Sequence, residues 1–200
     1  MRKRGREGEK RLRRLLKQLE GNNKILSNLY FFHKDRSAEV DIIFLHETGI
    51  YVLESKNYCG TVTGEITNTF WTQDNGIYKR EFYNPVWQNR KHVKEVSEFL
   101  EQHGLNSLQI RSIVVFPDNT DLFMRCQRER KVFVGHLQDI RQYIRNVEKS
   151  NLSKDKIGPK EIKQVYKILK PLTKVPAWKK SEHIKYVKKI SDTPTAFSKS

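Results

Sequence analysis

The order of hydrophobic patterns in this chain predicts an α/β fold, a mixed central β-sheet flanked by helices. Three observations carry that expectation. The chain opens on a helix-type repeat of leucines and passes into a run of strand-type segments before the next helix. Residues 38–55 read as a β-hairpin. Residues 109–116, Gln-Ile-Arg-Ser-Ile-Val-Val-Phe, are nearly continuous in apolar side chains, as in a strand covered on both faces.

The elements follow in order. Leu12, Leu15, Leu16 and Leu19 stand at i, i+3, i+4 and i+7 among Arg and Lys, which predicts an amphipathic helix over 9–19 that ends at Gly21-Asn22-Asn23. Residues 24–32 read as a strand. Residues 38–45 and 50–55 form the hairpin, joined by a short turn that contains Gly49. Weaker strands at 60–72 and 77–83 flank the turn signal Asp74-Asn75-Gly76. Asn84-Pro85 opens a second helix, with Asn as its cap and Pro at its first position. Its apolar stripe is Val86, Val93, Val96 and Leu100. Pro117 stops the apolar strand at 109–116, and 131–134 is a further short strand. Leu137, Ile140, Ile144 and Val147 mark a third helix; Ile162, Val165, Tyr166 and Leu169 mark a fourth, entered through Gly158-Pro159. From 173 the periodicity fades, so the sequence predicts one domain over 1–172 and a basic, partly disordered tail over 173–200.

The formal net charge of +16 is unevenly spread. Residues 1–20 hold nine Lys and Arg against three Glu, and residues 151–200 hold thirteen Lys against four acids. The stretch between them is nearly neutral. Basic ends on a balanced body suit a polyanion, whether DNA, RNA or an anionic membrane surface, with plain solubility as the competing reading; nucleic acid is the expected partner. Cys59 and Cys126 match no zinc spacing and are too few for a disulfide framework. The N-terminus has no apolar signal segment and no apolar run has membrane-spanning length, so a cytoplasmic location is expected.

The chemistry centres on the hairpin. If its turn is Glu47-Thr48, facing residues place Asp41 opposite Glu54, and Lys56 follows two residues later on the same strand face. Two close carboxylates resist joint ionisation unless a cation lies between them. Magnesium or manganese meets that need with oxygen ligands, and a lysine beside it can orient water or stabilise charge on a phosphate. A plain cross-strand salt bridge competes with this reading. The apolar run Ile50–Leu53 just before Glu54 argues against it, since a solvated strand would alternate. Glu9 falls at the edge of the first helix's apolar face, either as a further acid for the site or as a favourable charge at the helix start.

Taken together, Gly5-Arg6-Glu7-Gly8-Glu9, Glu39-Val40-Asp41, Gly49 through Asn57 with Gly60, Trp71, and Asn84-Pro85-Val86-Trp87-Gln88-Asn89 with His92 resemble the nuclease-related domain (NERD) family. That family belongs to the PD-(D/E)xK nuclease superfamily, and the resemblance runs in order from Gly5 to about Phe116. It implies a restriction-endonuclease-like core. Glu9, Asp41 and Glu54 would sit around a Mg2+ or Mn2+ ion, Lys56 would be the catalytic lysine, and Gln88 would complete the site from the helix. Ile42 departs from the polar residue expected there. The implied activity is metal-dependent phosphodiester hydrolysis on nucleic acid, DNA ahead of RNA; the alternative is a binding module that keeps the fold with little or no cleavage. Some nucleases of this superfamily pair up to cut two strands, so a homodimer stays open.

Overall fold

The computed structural model describes residues 2–34, 36–106, 108–125, 129, 131–150 and 156–192. The elements are α1 (Arg2–Lys17), β1 (Asn23–Phe32), β2 (Ser37–His46), β3 (Gly49–Ser55), β4 (Gly60–Glu65), β5 (Phe70–Asp74), β6 (Lys79–Tyr83), α2 (Pro85–Glu101), β7 (Ile110–Phe116), β8 (Thr120–Arg125), β9 (Val132–His136), α3 (Ile140–Lys149), α4 (Pro159–Leu169) and α5 (Ala177–Asp192). The expected α/β class is what forms, but with two mixed sheets in place of one. The larger sheet has the order β1-β2-β3-β7-β9 and the smaller β6-β5-β4-β8. In the larger sheet β1, β2 and β3 are antiparallel neighbours, while β3, β7 and β9 run parallel.

The larger sheet is covered on both faces. Val96 and Leu100 of α2 and Ile162, Val165 and Leu169 of α4 pack on one face with Ile43, Leu45, Ile50 and Val52. Leu12 and Leu16 of α1 and Ile140 and Ile144 of α3 pack on the other with Ile42, Phe44, Tyr51 and Leu53. Covering both faces is why β3 and β7 read as nearly continuous apolar runs: every residue of β7 is buried, Arg111 and Ser112 included. The smaller sheet packs Val62 and Trp71 against Val86 at the start of α2 and against Val114 and Phe116 of β7. Gly64 leaves room for the Trp71 indole, which lies 2.3 Å from where a Cβ would stand.

Three differences from the sequence expectation have physical causes. Strand β8 is absent from the expectation because it is a sheet edge paired only with β4, and its Phe123 is largely exposed. Such a strand needs no regular apolar face. Helix α1 begins earlier than expected, through basic residues that carry no apolar signal. Helix α5 occupies much of the stretch read as an unpatterned tail; His183 anchors it on Ser37 Oγ at 2.9 Å. Residues 193–200 of that expected tail, and Cys126, lie outside the described residues.

The entry to α2 is held by one side chain. Asn84 is fully buried; its Oδ1 accepts from the amides of Val86 and Trp87, and its Nδ2 donates to the carbonyls of Glu65, Ile66 and Asn68. It caps the helix and ties it to the β4–β5 turn. Asn84→Ala is expected to lower stability by about 3 kcal/mol, as a lost cap plus stranded carbonyls. A urea unfolding series would read this as a lower midpoint at unchanged slope.

Candidate active site

The hairpin register decides where the acids meet. The observed pairs run from His46↔Gly49 to Ile42↔Leu53, with Glu47 and Thr48 as the turn. Continuing that register puts Asp41 level with Glu54, but the ladder stops one pair short. Instead the Asp41 Oδ2 accepts the Ser55 amide at 3.2 Å. Strand alternation also breaks here. Ile43 and Leu45 face α2 and α4, and so does Val40, although it is an odd number of residues away from them. Across from Asp41 on β1, Asn28 takes the left-handed conformation at φ 54° and is absent from the ladder. Asn tolerates that conformation better than most side chains do. The two strands therefore kink together at Asp41, which frees its carboxylate to turn to the end of β3.

Glu54 is buried and surrounded. Its Oε1 takes the Lys56 ammonium at 2.8 Å and the Gln88 amide Nε2 at 2.9 Å, while the Gln88 Oε1 accepts from Lys56 Nζ at 2.8 Å. The three groups close a ring of charge-assisted hydrogen bonds. His92, one turn further along α2, brings Nε2 to 3.4 Å from Glu54 Oε2, and neither of its ring nitrogens makes a full hydrogen bond. Burial pushes the Glu54 carboxyl up, but the Lys56 ammonium and the neighbouring His92 pull it down further, to about 2. Burial pulls Lys56 down, and the Glu54 charge outweighs it, so the ammonium is held above its ordinary range.

Asp41 behaves oppositely. Burial raises its carboxyl well above the ordinary value, and the Glu54 charge raises it further; the Ser55 amide opposes, and Glu9 adds a smaller push upward. Glu9 is half-buried on α1, and its charge also reaches Tyr30. The structure thus brings Asp41, Glu54, Lys56 and Gln88 together, with Glu9 acting on Asp41 through its charge. Among the described residues no three or more His, Cys, Asp or Glu side chains gather into a metal-holding group. Magnesium is usually held by one or two carboxylates with several waters, so the Asp41–Glu54 pair is still a fitting donor set. The upward push on Asp41 is the electrostatic tension that a cation there would relieve.

A cleft of about 520 Å³ opens beside this cluster, lined by Ser55, Lys56 and Asn57 from the end of β3, Gly8 and Arg11 from α1, and Asp118 and Asn119 beyond β7. At Gly8, α1 passes close to the end of β3: a Cβ there would meet Ser55 Oγ at 3.6 Å.

Asn89 is the structural residue that sequence reasoning passed over. It is buried, and its Nδ2 donates to the Val52 carbonyl, the Ser112 Oγ and the Ile113 carbonyl. That pins α2 across β3 and β7 and sets the reach of the adjacent Gln88. The signal was present: Val86, Asn89, Val93, Val96 and Leu100 recur at steps of three and four, so a polar residue fills one place of an apolar stripe.

Among known proteins, the chain is 27% identical to an uncharacterized protein of Bacillus anthracis over 187 residues, covering 92% of this chain and 83% of the relative. A solved structure, the small subunit of the heterodimeric restriction endonuclease R.BspD6I, aligns over 92% of this chain and 89% of its own, at 10% identity and a TM-score of 0.33. No helix among the described residues is long and apolar enough to cross a membrane. The profile of the nuclease-related domain family matches residues 4–117, and the chain belongs to that family.

Proposed function

We propose that the chain is a metal-dependent nuclease that hydrolyses phosphodiester bonds in DNA, with Asp41 and Glu54 holding Mg2+ or Mn2+. The observation that supports this is a half-buried carboxylate under electrostatic tension, Asp41, set beside a closed Glu54–Lys56–Gln88 ring whose Lys56 lines an open cleft. A structural salt bridge would leave no reason for the extra acid. The bound ion would polarise the phosphodiester and lower the pKa of a bound water. The chain's own residues do the remainder. Asp41 and Glu54 supply oxygen donors from two strands. Gln88 shares both partners of the ion pair and fixes their geometry. Lys56 keeps its proton at neutral pH and offers a cation where negative charge would grow on a phosphate oxygen. Family membership makes a nuclease-related role the natural frame for these groups, and the basic composition suits a polyanionic substrate. A cytoplasmic setting accords with an exposed, unpaired Cys59.

The test is cleavage of plasmid and linear DNA by the full chain with magnesium, manganese or EDTA. The expected result is nicking or linearisation with either metal and none with EDTA. DNA binding without cleavage in any metal would mean a binding module that keeps the fold. Comparing linear with closed circular substrate separates attack at ends from attack within the strand.

A further inference from the structure

The site's cleft continues as a groove between α1 and α3 that carries arginines. Arg11 and Leu137 line both the cleft and the next hollow, where Arg14, Gln18, Gln138 and Arg141 join them. Gln18 and Arg141 then lead into a third, smaller hollow that includes Arg145. Arg11 and Arg14 are one turn apart on α1, and Arg141 and Arg145 one turn apart on α3. All four are exposed, and none forms an ion pair with a described carboxylate. The acids around them are otherwise engaged or stand at the far end: Glu7 pairs with Lys10, Asp118 accepts the Gln138 amide, and Asp139 lies beside His136. Glu20 and Glu148 line only the third hollow, so they bound the track away from the site.

From these placements we infer that the α1–α3 groove is a phosphate track, which carries the backbone of a nucleic-acid strand to the cleft at Lys56. The inference rests on the nucleic-acid reading above and adds where the strand lies. Leu12 and Leu16 of α1 and Ile140 and Ile144 of α3 are buried in one cluster, so both helices are held against the same sheet face and their arginines line the hollows between them. From Arg11 to Lys17 the helix rises about 9 Å, between two and three nucleotide steps of a duplex strand. Guanidinium groups suit this task because each can meet phosphate oxygens through two parallel hydrogen bonds. The apolar residues that line the middle hollow, Leu15 and Leu137, are aliphatic and offer bases no aromatic stacking platform. The track therefore reads backbone and not sequence.

The experiment measures affinity for a labelled duplex across a salt series in EDTA, with the full chain. It compares wild type with Arg14→Gln/Arg141→Gln and with a charge-matched control, Lys163→Gln/Lys167→Gln, on α4 over the opposite sheet face. All four positions are exposed, and thermal melting checks that the variants fold. The arginine pair is expected to weaken binding about tenfold or more and to make the log–log salt slope shallower by roughly two, alike for unrelated sequences. The lysine pair is expected to leave the slope near wild type. Equal losses in both pairs, or no loss in the arginine pair, would overturn the track. The two proposals fail separately: without cleavage by wild type, an arginine-dependent slope still supports the track. With cleavage intact, an unchanged KM in the arginine variant removes the track and leaves the nuclease.

Discussion

Lys56→Met is expected to abolish DNA cleavage, with a fall in turnover of at least about 10²-fold, the scale seen when one group that stabilises transition-state charge is removed. Methionine keeps most of the lysine stem and removes only the ammonium. The loss should therefore appear in kcat, with KM for DNA little changed. The substitution also strips Glu54 of the cation that holds its carboxyl at about 2, leaving a buried charge supported by Gln88 and His92. Breaking a buried pair in this way costs about 3 kcal/mol. Stability and activity can be separated by adding Glu54→Gln to Lys56→Met. The double variant should recover much of the lost stability, because no unpaired carboxylate remains, and should recover no cleavage. Wild-type turnover in Lys56→Met would remove the lysine from the chemistry. The same pair sets an acid limit on stability. A carboxyl with a depressed folded pKa contributes stability above its unfolded value, near 4.5, and that contribution is lost as pH falls towards 2. Urea midpoints in Glu54→Gln should accordingly be less sensitive than wild type across that window.

Asp41→Asn is expected to stabilise the metal-free protein at neutral pH while ending its response to manganese. The sign follows from the raised Asp41 carboxyl. A group whose folded pKa is raised contributes stability at pH below its unfolded value, and that contribution disappears as pH rises through the folded pKa. At neutral pH the Asp41 carboxyl, half-buried and close to Glu54, therefore burdens the fold. Asparagine keeps an oxygen for the Ser55 amide and carries no charge. A gain on the order of 1 kcal/mol corresponds to roughly 2–4 °C in Tm for a chain of this size. Manganese at a hundred times its Kd should then stabilise the wild type by about 2.7 kcal/mol and the variant far less. The two melting curves are thus expected to change order when the metal is added. A manganese shift of equal size in both proteins would exclude Asp41 as a ligand.

How much of this was legible before folding differs from residue to residue. The hairpin register was readable because two strand-type runs lie close along the chain, and taking Glu47-Thr48 as the turn fixes every facing pair. Asn84-Pro85 was readable because a cap and a fixed φ act within one turn of chain. Gln88 was not chosen by its pattern, only by the resemblance. Its role depends on Glu54, 34 residues earlier, and a flank position on an amphipathic helix does not say what it will meet. Asn89 was visible as a polar break in an apolar stripe but stayed unassigned. The Asp41 kink was hidden, since it depends on Asn28 adopting φ 54° across the strand pair.

The sequence by itself determined the α/β class, the buried faces of α1, α2 and α4, the run of Asp41, Glu54 and Lys56 along one hairpin, and the resemblance that family membership bears out. The helix faces follow from periodicity inside one element, where burial and backbone geometry repeat every 3.6 residues, the fold class from the order of the elements, and the resemblance from motifs met in order along the chain. Only the tertiary structure decided the split into two sheets, the parallel pairing of β4 with β8 some 60 residues away, and the meeting of Arg11 and Arg14 with Arg141 and Arg145 along one groove. Those outcomes depend on which apolar faces seal against each other. An element's own pattern says that it has a face to bury and does not name the partner that buries it.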